Sequence, residues 1–243
     1  MVIYLFCLRN ISFYLCASQR LLMNRLYFDS AATTALDPQV LEAMMPYFQN
    51  KYGNPSSIYS YGRETRLAIE NARKSVGKIL NAHPAEIFFT SCGTESSNTA
   101  ITGSVRDLGC KRIITSPIEH HATLHTVEYL DHRDEAKVSY VNILPDGHID
   151  MDHLAELLAA SDEKTLVTLM HANNEIGNIT DIHAVGELCV QHGAIFHSDC
   201  VQTVGHFHFD LRNTPVHFIS GSAHKFHGPK GAGLLYINEN VHI

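Results

Sequence analysis

From Leu26 onward, short apolar runs alternate with stretches patterned as amphipathic helix, and this alternation restricts the chain to a small set of folds. The runs are Ile87–Thr90, Arg112–Ser116, Val138–Asn142, Leu166–Met170, Ala194–Asp199, His217–Ser220 and Ala232–Ile237. Their length and their Ile, Val, Phe, Tyr and Leu content are those of strands. Continuous rather than alternating apolar character suits strands covered on both faces. Between them, Asp37-Pro38 reads as an N-cap with proline at the first helical position, opening a helix to about Gln49. The span Tyr61–Asn81 places Ala68, Ala72, Val76, Ile79 and Leu80 on one face. Asp150 can cap Met151–Ala160, and Asp181 can open a helix running to about His192. Such alternation predicts an α/β layered fold: a mostly parallel sheet of about seven strands between helices. No repeat, low-complexity tract or linker divides Leu26–Ile243. With 243 residues, 45% of them hydrophobic, the chain can build a core without a disulfide or metal staple.

Residues 1–24 read differently. They hold no acidic residue, two arginines (Arg9 and Arg20) and two short apolar runs. Their longest charge-free run, Asn10–Gln19, falls short of the roughly 20 residues a membrane span needs. Apolar Val2–Leu8 precedes the first positive charge, the reverse of a secretory signal. An extension outside the folded domain is expected here, with an organellar presequence as the alternative. The domain is then residues 25–243, and the expected location is the cytoplasm.

Charge narrows the partners. Eighteen Lys and Arg against 25 Asp and Glu leave a formal net charge of −7, so no nucleic-acid partner is expected. Six cysteines form no CxxC pair and read as reduced thiols. The 17 histidines include His206/His208 and His224/His227, but nothing at a spacing that completes a tetrahedral set, so no metal site is expected.

In open α/β sheets, ligands bind beyond the carboxyl ends of strands. After Ile87–Thr90 comes Ser91-Cys92-Gly93-Thr94-Glu95-Ser96, a tight turn into a helix whose free N–H groups form an anion cradle or an ordinary capped turn. After Ala194–Phe196 comes Asp199, a carboxylate that needs a partner if buried, or a helix cap. After His217–Ser220 comes Ser222-Ala223-His224-Lys225, then a Gly/Pro turn. A lysine there is either solvated or an amine nucleophile whose pKa is lowered by apolar and cationic neighbours. Glu119-His120 and His171-Ala172-Asn173-Asn174 follow two other strands. An anion cradle, a carboxylate, an imidazole, amides and a lysine amine at successive strand ends together match the needs of pyridoxal phosphate.

The sequence resembles the cysteine desulfurases, within the class V aminotransferase-like, fold-type I pyridoxal phosphate enzymes. The resemblance rests on Tyr27–Thr34, Gly53-Asn54-Pro55-Ser56-Ser57, Thr94–Asn98, Glu119-His120, Asn173–Gly177, Asp199 with Gln202, and His224-Lys225 with Gly228–Gly231. It implies the large domain of that fold. It also implies roles: Lys225 bonds the cofactor covalently, Asp199 pairs with the pyridine nitrogen, and Gln202 donates to the ring hydroxyl. His120 stacks on the ring and moves protons, Gly93, Thr94, Ser222 and His224 hold the phosphate, and Asn174 lies near cofactor and substrate carboxylate. The implied reaction converts L-cysteine to L-alanine. Its sulfur passes as a persulfide to an enzyme cysteine, then to an acceptor or Fe–S scaffold protein, in a homodimer. Cys92 and Ala223 stand where glycine is usual, and Tyr59 where histidine is frequent. The family's acceptor cysteine, substrate-binding arginine and C-terminal small domain lie beyond Ile243, so a truncated large domain is expected. Selenocysteine lyase, another class V enzyme, and a non-catalytic remnant keeping the cofactor fold are the alternatives.

Overall fold

The computed structural model describes residues 26–243. The extension expected at 1–24, with Cys7 and Cys16, lies outside the described residues. Leu26–Ser30 belongs to an N-terminal unit and is exposed, and Ala31–Ile243 forms the main unit.

Seven strands make one sheet: β1 (Ile87–Thr90), β2 (Arg112–Thr115), β3 (Lys137–Tyr140), β4 (Thr165–Thr168), β5 (Ile195–Asp199), β6 (Phe218–Ser222) and β7 (Gly233–Ile237), in the order β1-β7-β6-β5-β4-β2-β3. The pairs β2–β3, β2–β4, β4–β5 and β5–β6 are parallel, whereas β7 runs antiparallel to β1 and β6. The expected mostly parallel sheet is therefore present with one reversed strand. β6 continues two residues past the expected Ser220, because Gly221 and Ser222 pair with Leu234 and Gly233 of β7. β3 begins at Lys137 and ends at Tyr140 rather than Asn142, in register with Arg112–Thr115 of its one neighbour.

The helices are α1 (Pro38–Gln49), α2 (Ser60–Leu80), α3 (Gly93–Arg106), α4 (His121–His132), α5 (Met151–Ala159) and α6 (Ile182–Gln191). Asp37, Asp150 and Asp181 cap α1, α5 and α6, each accepting from first-turn amides. Two cores flank the sheet. One face packs Ile114, Val167, Phe196, Ile219 and Tyr236 against Leu80 of α2, Leu154 and Leu158 of α5, and Ile182, Val185 and Cys189 of α6. The other packs Ile113, Leu166, Ile195, Phe218 and Leu235 against Ala100, Ile101 and Val105 of α3 and Val127 and Leu130 of α4.

Two helical expectations need correction. The apolar face read for α2 is rotated: Ala72 is exposed and Ile79 is 66% exposed, while Gly62, Gly77 and Leu80 are buried. Close approach decides this, since a Cβ on Gly62 would meet the Ser57 carbonyl at 2.3 Å. Helix α4 was not anticipated. Its buried Thr123, Val127 and Leu130 do follow helical spacing, but His and Thr dilute the pattern.

Candidate active site

The carboxyl ends of β1, β2, β4, β5 and β6 meet at one edge of the sheet. Around that edge lies a cavity of about 250 Å³, lined by Gly93, Thr94, His120, Asn174, Asp199, Gln202, Ser222, His224 and Lys225, together with Ala32, Cys92, Ala122, Met170 and Val201. Every site residue expected from the sequence reaches this cavity. In the sequence Cys92 stands out only as a cysteine where glycine is usual. Ala32, Ala122, Met170 and Val201 carry no chemical signal, and only tertiary placement brings them in.

Helix α3 starts at Gly93, and Gly93 and Thr94 at its amide end line the cavity. Glycine is required at this position: a Cβ on Gly93 would lie 2.3 Å from Val201 Cγ2. Cys92 sits at the N-cap. Burial pushes its thiol up, but donors from the Glu95 and Thr94 backbones and the Ser91 hydroxyl outweigh that, leaving it below an ordinary cysteine.

Asp199 closes β5. It is 6% exposed and accepts from Val201 N at 3.0 Å. Burial raises its pKa, an effect opposed by the Val201 amide and the nearby His120 and Lys225. Two residues earlier, wholly buried His197 joins Thr168 Oγ1 through Nδ1 (2.8 Å) and Ser220 Oγ through Nε2 (2.9 Å). Ser97 Oγ donates to Ser220 Oγ at 3.0 Å. Both imidazole nitrogens are thus engaged by buried hydroxyls. Burial pushes the His197 pKa down to about 3.

His120 caps α4, and its Nδ1 accepts from Ala122 N at 3.1 Å. That leaves Nε2 as the protonated nitrogen of the neutral ring. Asn174 Nδ2 donates to Glu175 Oε1 at 2.6 Å. Lys225 ends a 3₁₀ turn (Ala223–Lys225) directly after β6. Its Nζ donates to the carbonyls of Ala31 (2.5 Å) and Ala32 (3.0 Å). The carboxamide of Gln202 donates to that same Ala31 carbonyl, rather than outward. His224 Nδ1 lies 3.0 Å from Thr33 Oγ1; burial and the cations of Lys225 and Lys230 lower its pKa. The turn after Lys225 is tight: a Cβ on Gly228 would meet Ala223 Cβ at 2.6 Å.

The donor set fits pyridoxal phosphate. The helix amides and the Thr94 and Ser222 hydroxyls suit a phosphate, buried Asp199 suits a pyridinium N–H, and the Lys225 amine can bond an aldehyde carbon.

This fold and this pocket define a member of the class V aminotransferase family. The sequence profile of that family, Aminotransferase class-V, matches residues 26–242, and the chain belongs to it. Among individual proteins, it is 45% identical over 224 residues to the cysteine desulfurase IscS of Clostridium botulinum (strain Hall / ATCC 3502 / NCTC 13319 / Type A), covering 91% of this chain and 56% of the relative. A solved structure titled NifS-like protein superposes with a TM-score of 0.84 at 43% identity, covering 90% of this chain and 60% of that one. A structure titled SspA in complex with cysteine superposes at 0.83 with 33% identity, covering 88% and 62%. The chain thus spans a little over half the length of the relatives it matches. No described helix is long and apolar enough to cross a membrane.

Proposed function

We propose that this chain is the cofactor-binding part of a pyridoxal phosphate-dependent cysteine desulfurase. In this reading it acts on L-cysteine, releases L-alanine and passes the sulfur as a persulfide to an enzyme thiol. An acceptor or Fe–S scaffold protein then takes it up, and the protein works as a homodimer in an aqueous compartment. The observation that carries the reading is the convergence of Lys225, Asp199 and the α3 amide end on one cavity. The relatives' names supply the choice of cysteine as substrate.

Bound pyridoxal phosphate supplies an electron sink that labilises bonds at an amino acid's α-carbon. The residues of the chain do the rest. Gly93 and Thr94 amides, with the hydroxyls of Thr94 and Ser222 and the His224 ring, hold the phosphate. Asp199, raised in pKa by burial, takes full negative charge when a cationic N–H faces it. His120, whose Nδ1 is taken by Ala122 N, would present its Nε2 proton to the ring. Lys225, now donating to the carbonyls of Ala31 and Ala32, would supply the amine that holds the cofactor covalently. Asn174 orients the substrate carboxylate.

Two measurements test this. Addition of pyridoxal phosphate to the chain is expected to give a visible absorption band distinct from that of free cofactor, missing in Lys225→Ala. Because the resemblance puts the acceptor cysteine and the substrate-binding arginine beyond Ile243, this chain alone is expected to form alanine and sulfide from L-cysteine far more slowly than a form that carries them. A spectrum identical to free cofactor in the wild type overturns the cofactor assignment; a longer form carrying those residues that binds cofactor but makes no alanine overturns the desulfurase assignment alone.

A further inference from the structure

Among the described residues, Glu119 is the one buried acid beside the site to which the proposed chemistry gives no task. It is 6% exposed. Its Oε1 accepts from Ser116 Oγ at 2.7 Å and from Met170 N at 3.0 Å. These contacts tie the segment after β2 to the segment after β4. Asn173 ties the same two segments again: its Nδ2 donates to the Ile118 carbonyl at 2.7 Å, and its Oδ1 accepts from the amides of Glu175 and Ile176. His120 and Asn174 are the next residues along each segment, and Met170 itself lines the cavity. The other Glu119 oxygen, Oε2, is buried with no hydrogen-bond partner among the described residues. Glu119 also lines a separate cavity with about 10 Å³ of water-accessible space, together with His148, Asn178 and Thr180. One water fits such a space when polar groups surround it.

We propose that Glu119 is a positioning residue that fixes His120 and Met170 at the cofactor pocket by clamping the ends of β2 and β4, and that its Oε2 binds one water in the adjoining cavity. Asp199, which carries the same sign, acts on it, and His148, paired with Asp146, lines the adjoining cavity. No Lys or Arg among the described residues pairs with it. Burial, only partly offset by its two donors and reinforced by Asp199, pushes its pKa up to about 8. At pH 6 it is therefore a carboxylic acid whose proton sits on Oε2 and points at the water.

The clamp is a property of the chain itself; only the consequence for ligand binding rests on the cofactor reading. The infrared difference spectrum of ligand-free wild type minus Glu119→Gln at pH 6 is expected to contain the carbonyl stretch of a protonated carboxyl. Glutamine keeps an acceptor for Ser116 and Met170, so Glu119→Gln should hold its pyridoxal phosphate affinity within about twofold. Glu119→Ala should lose roughly tenfold or more, the range for a buried donor left unpaired. Ser116→Ala, which leaves the backbone contact in place, should fall between them and covers the case of an alanine variant that does not fold. A high-resolution crystal structure should hold one water against Oε2. A carboxylate signal at pH 6, a glutamine variant as poor as alanine, or a dry cavity overturns the proposal. If the wild type does not bind pyridoxal phosphate, the infrared and crystallographic results still decide it.

Discussion

Gln202 and Lys225 share one acceptor, the carbonyl of Ala31, at 2.9 and 2.5 Å. The segment from Ala31 to Asp37 is thereby strapped over the ends of β5 and β6. Further bonds extend the strap: Thr34 N and Oγ1 donate to the His224 carbonyl, Thr34 Oγ1 accepts from His227 N, and Asp37 N donates to the His227 carbonyl. The strap holds the Lys225 turn in place. Thr34→Val removes the hydroxyl from this lattice. The expected loss is about 1 kcal/mol, or roughly 2–4 °C in melting temperature, read by calorimetry. An unchanged melting temperature would show that the strap contributes little.

The contact of Gly93 with Val201 makes a second expectation. Gly93→Ala drives a methyl to 2.3 Å from Val201 Cγ2. One of the two must shift, at a cost of about 1–3 kcal/mol for overpacking. The helix amide end moves with Gly93, so cofactor affinity falls too. Val201→Ala in the same chain makes room and restores most of both losses. Additive effects of the two substitutions in a double-mutant cycle would rule out this contact as the cause.

Asp199→Asn separates the ligand-free from the loaded protein. Asparagine keeps the acceptor for Val201 N and removes a carboxylate that burial disfavours. The ligand-free chain should melt no lower than wild type. Pyridoxal phosphate affinity should drop roughly tenfold or more, because a charge-assisted bond to the ring nitrogen is lost. Equal affinity in equilibrium dialysis would remove Asp199 from the ring contact.

The expected architecture and the chemically distinctive site residues were legible because they depend on local signals. Strand runs, aspartate caps and the polar residues directly after each strand are all visible within a few positions. What was hidden depends on distant partners. The extra residues of β6 exist because β7 returns antiparallel beside it, and the register Gly221↔Leu234 is set some distance along the chain. The exposure of Ile79 follows from glycine contacts on the opposite side of α2. Met170 and Val201 reach the cavity through sheet geometry alone, and a methionine or valine gives no sign of that in sequence. Glu119 was visible as part of a motif, but its clamp appears only when β2 and β4 lie side by side.

Buried His197 predicts an acid-side signature. Its folded pKa, about 3, lies below the ordinary histidine value of 6.5. The folded state therefore binds fewer protons than the unfolded state between these values. Stability from this source is complete above about pH 6.5 and is lost as pH falls toward 3. Glu119 has the opposite sign, since its folded pKa of about 8 exceeds the ordinary 4.5, so its contribution declines as pH rises through that window. His197→Gln should flatten the acid limb of a urea-midpoint profile, and Glu119→Gln the limb toward pH 8. A wild-type acid limb that survives in His197→Gln would place the titrating group elsewhere.

The central claim is that Lys225 is the residue that takes the cofactor. Borohydride reduction of the chain with pyridoxal phosphate, followed by peptide mass mapping, measures this directly. The cofactor's mass is expected on the peptide carrying Lys225 and is expected to disappear in Lys225→Ala. Label on Lys230 or another lysine with Lys225 unmodified, or no label at all, would contradict it.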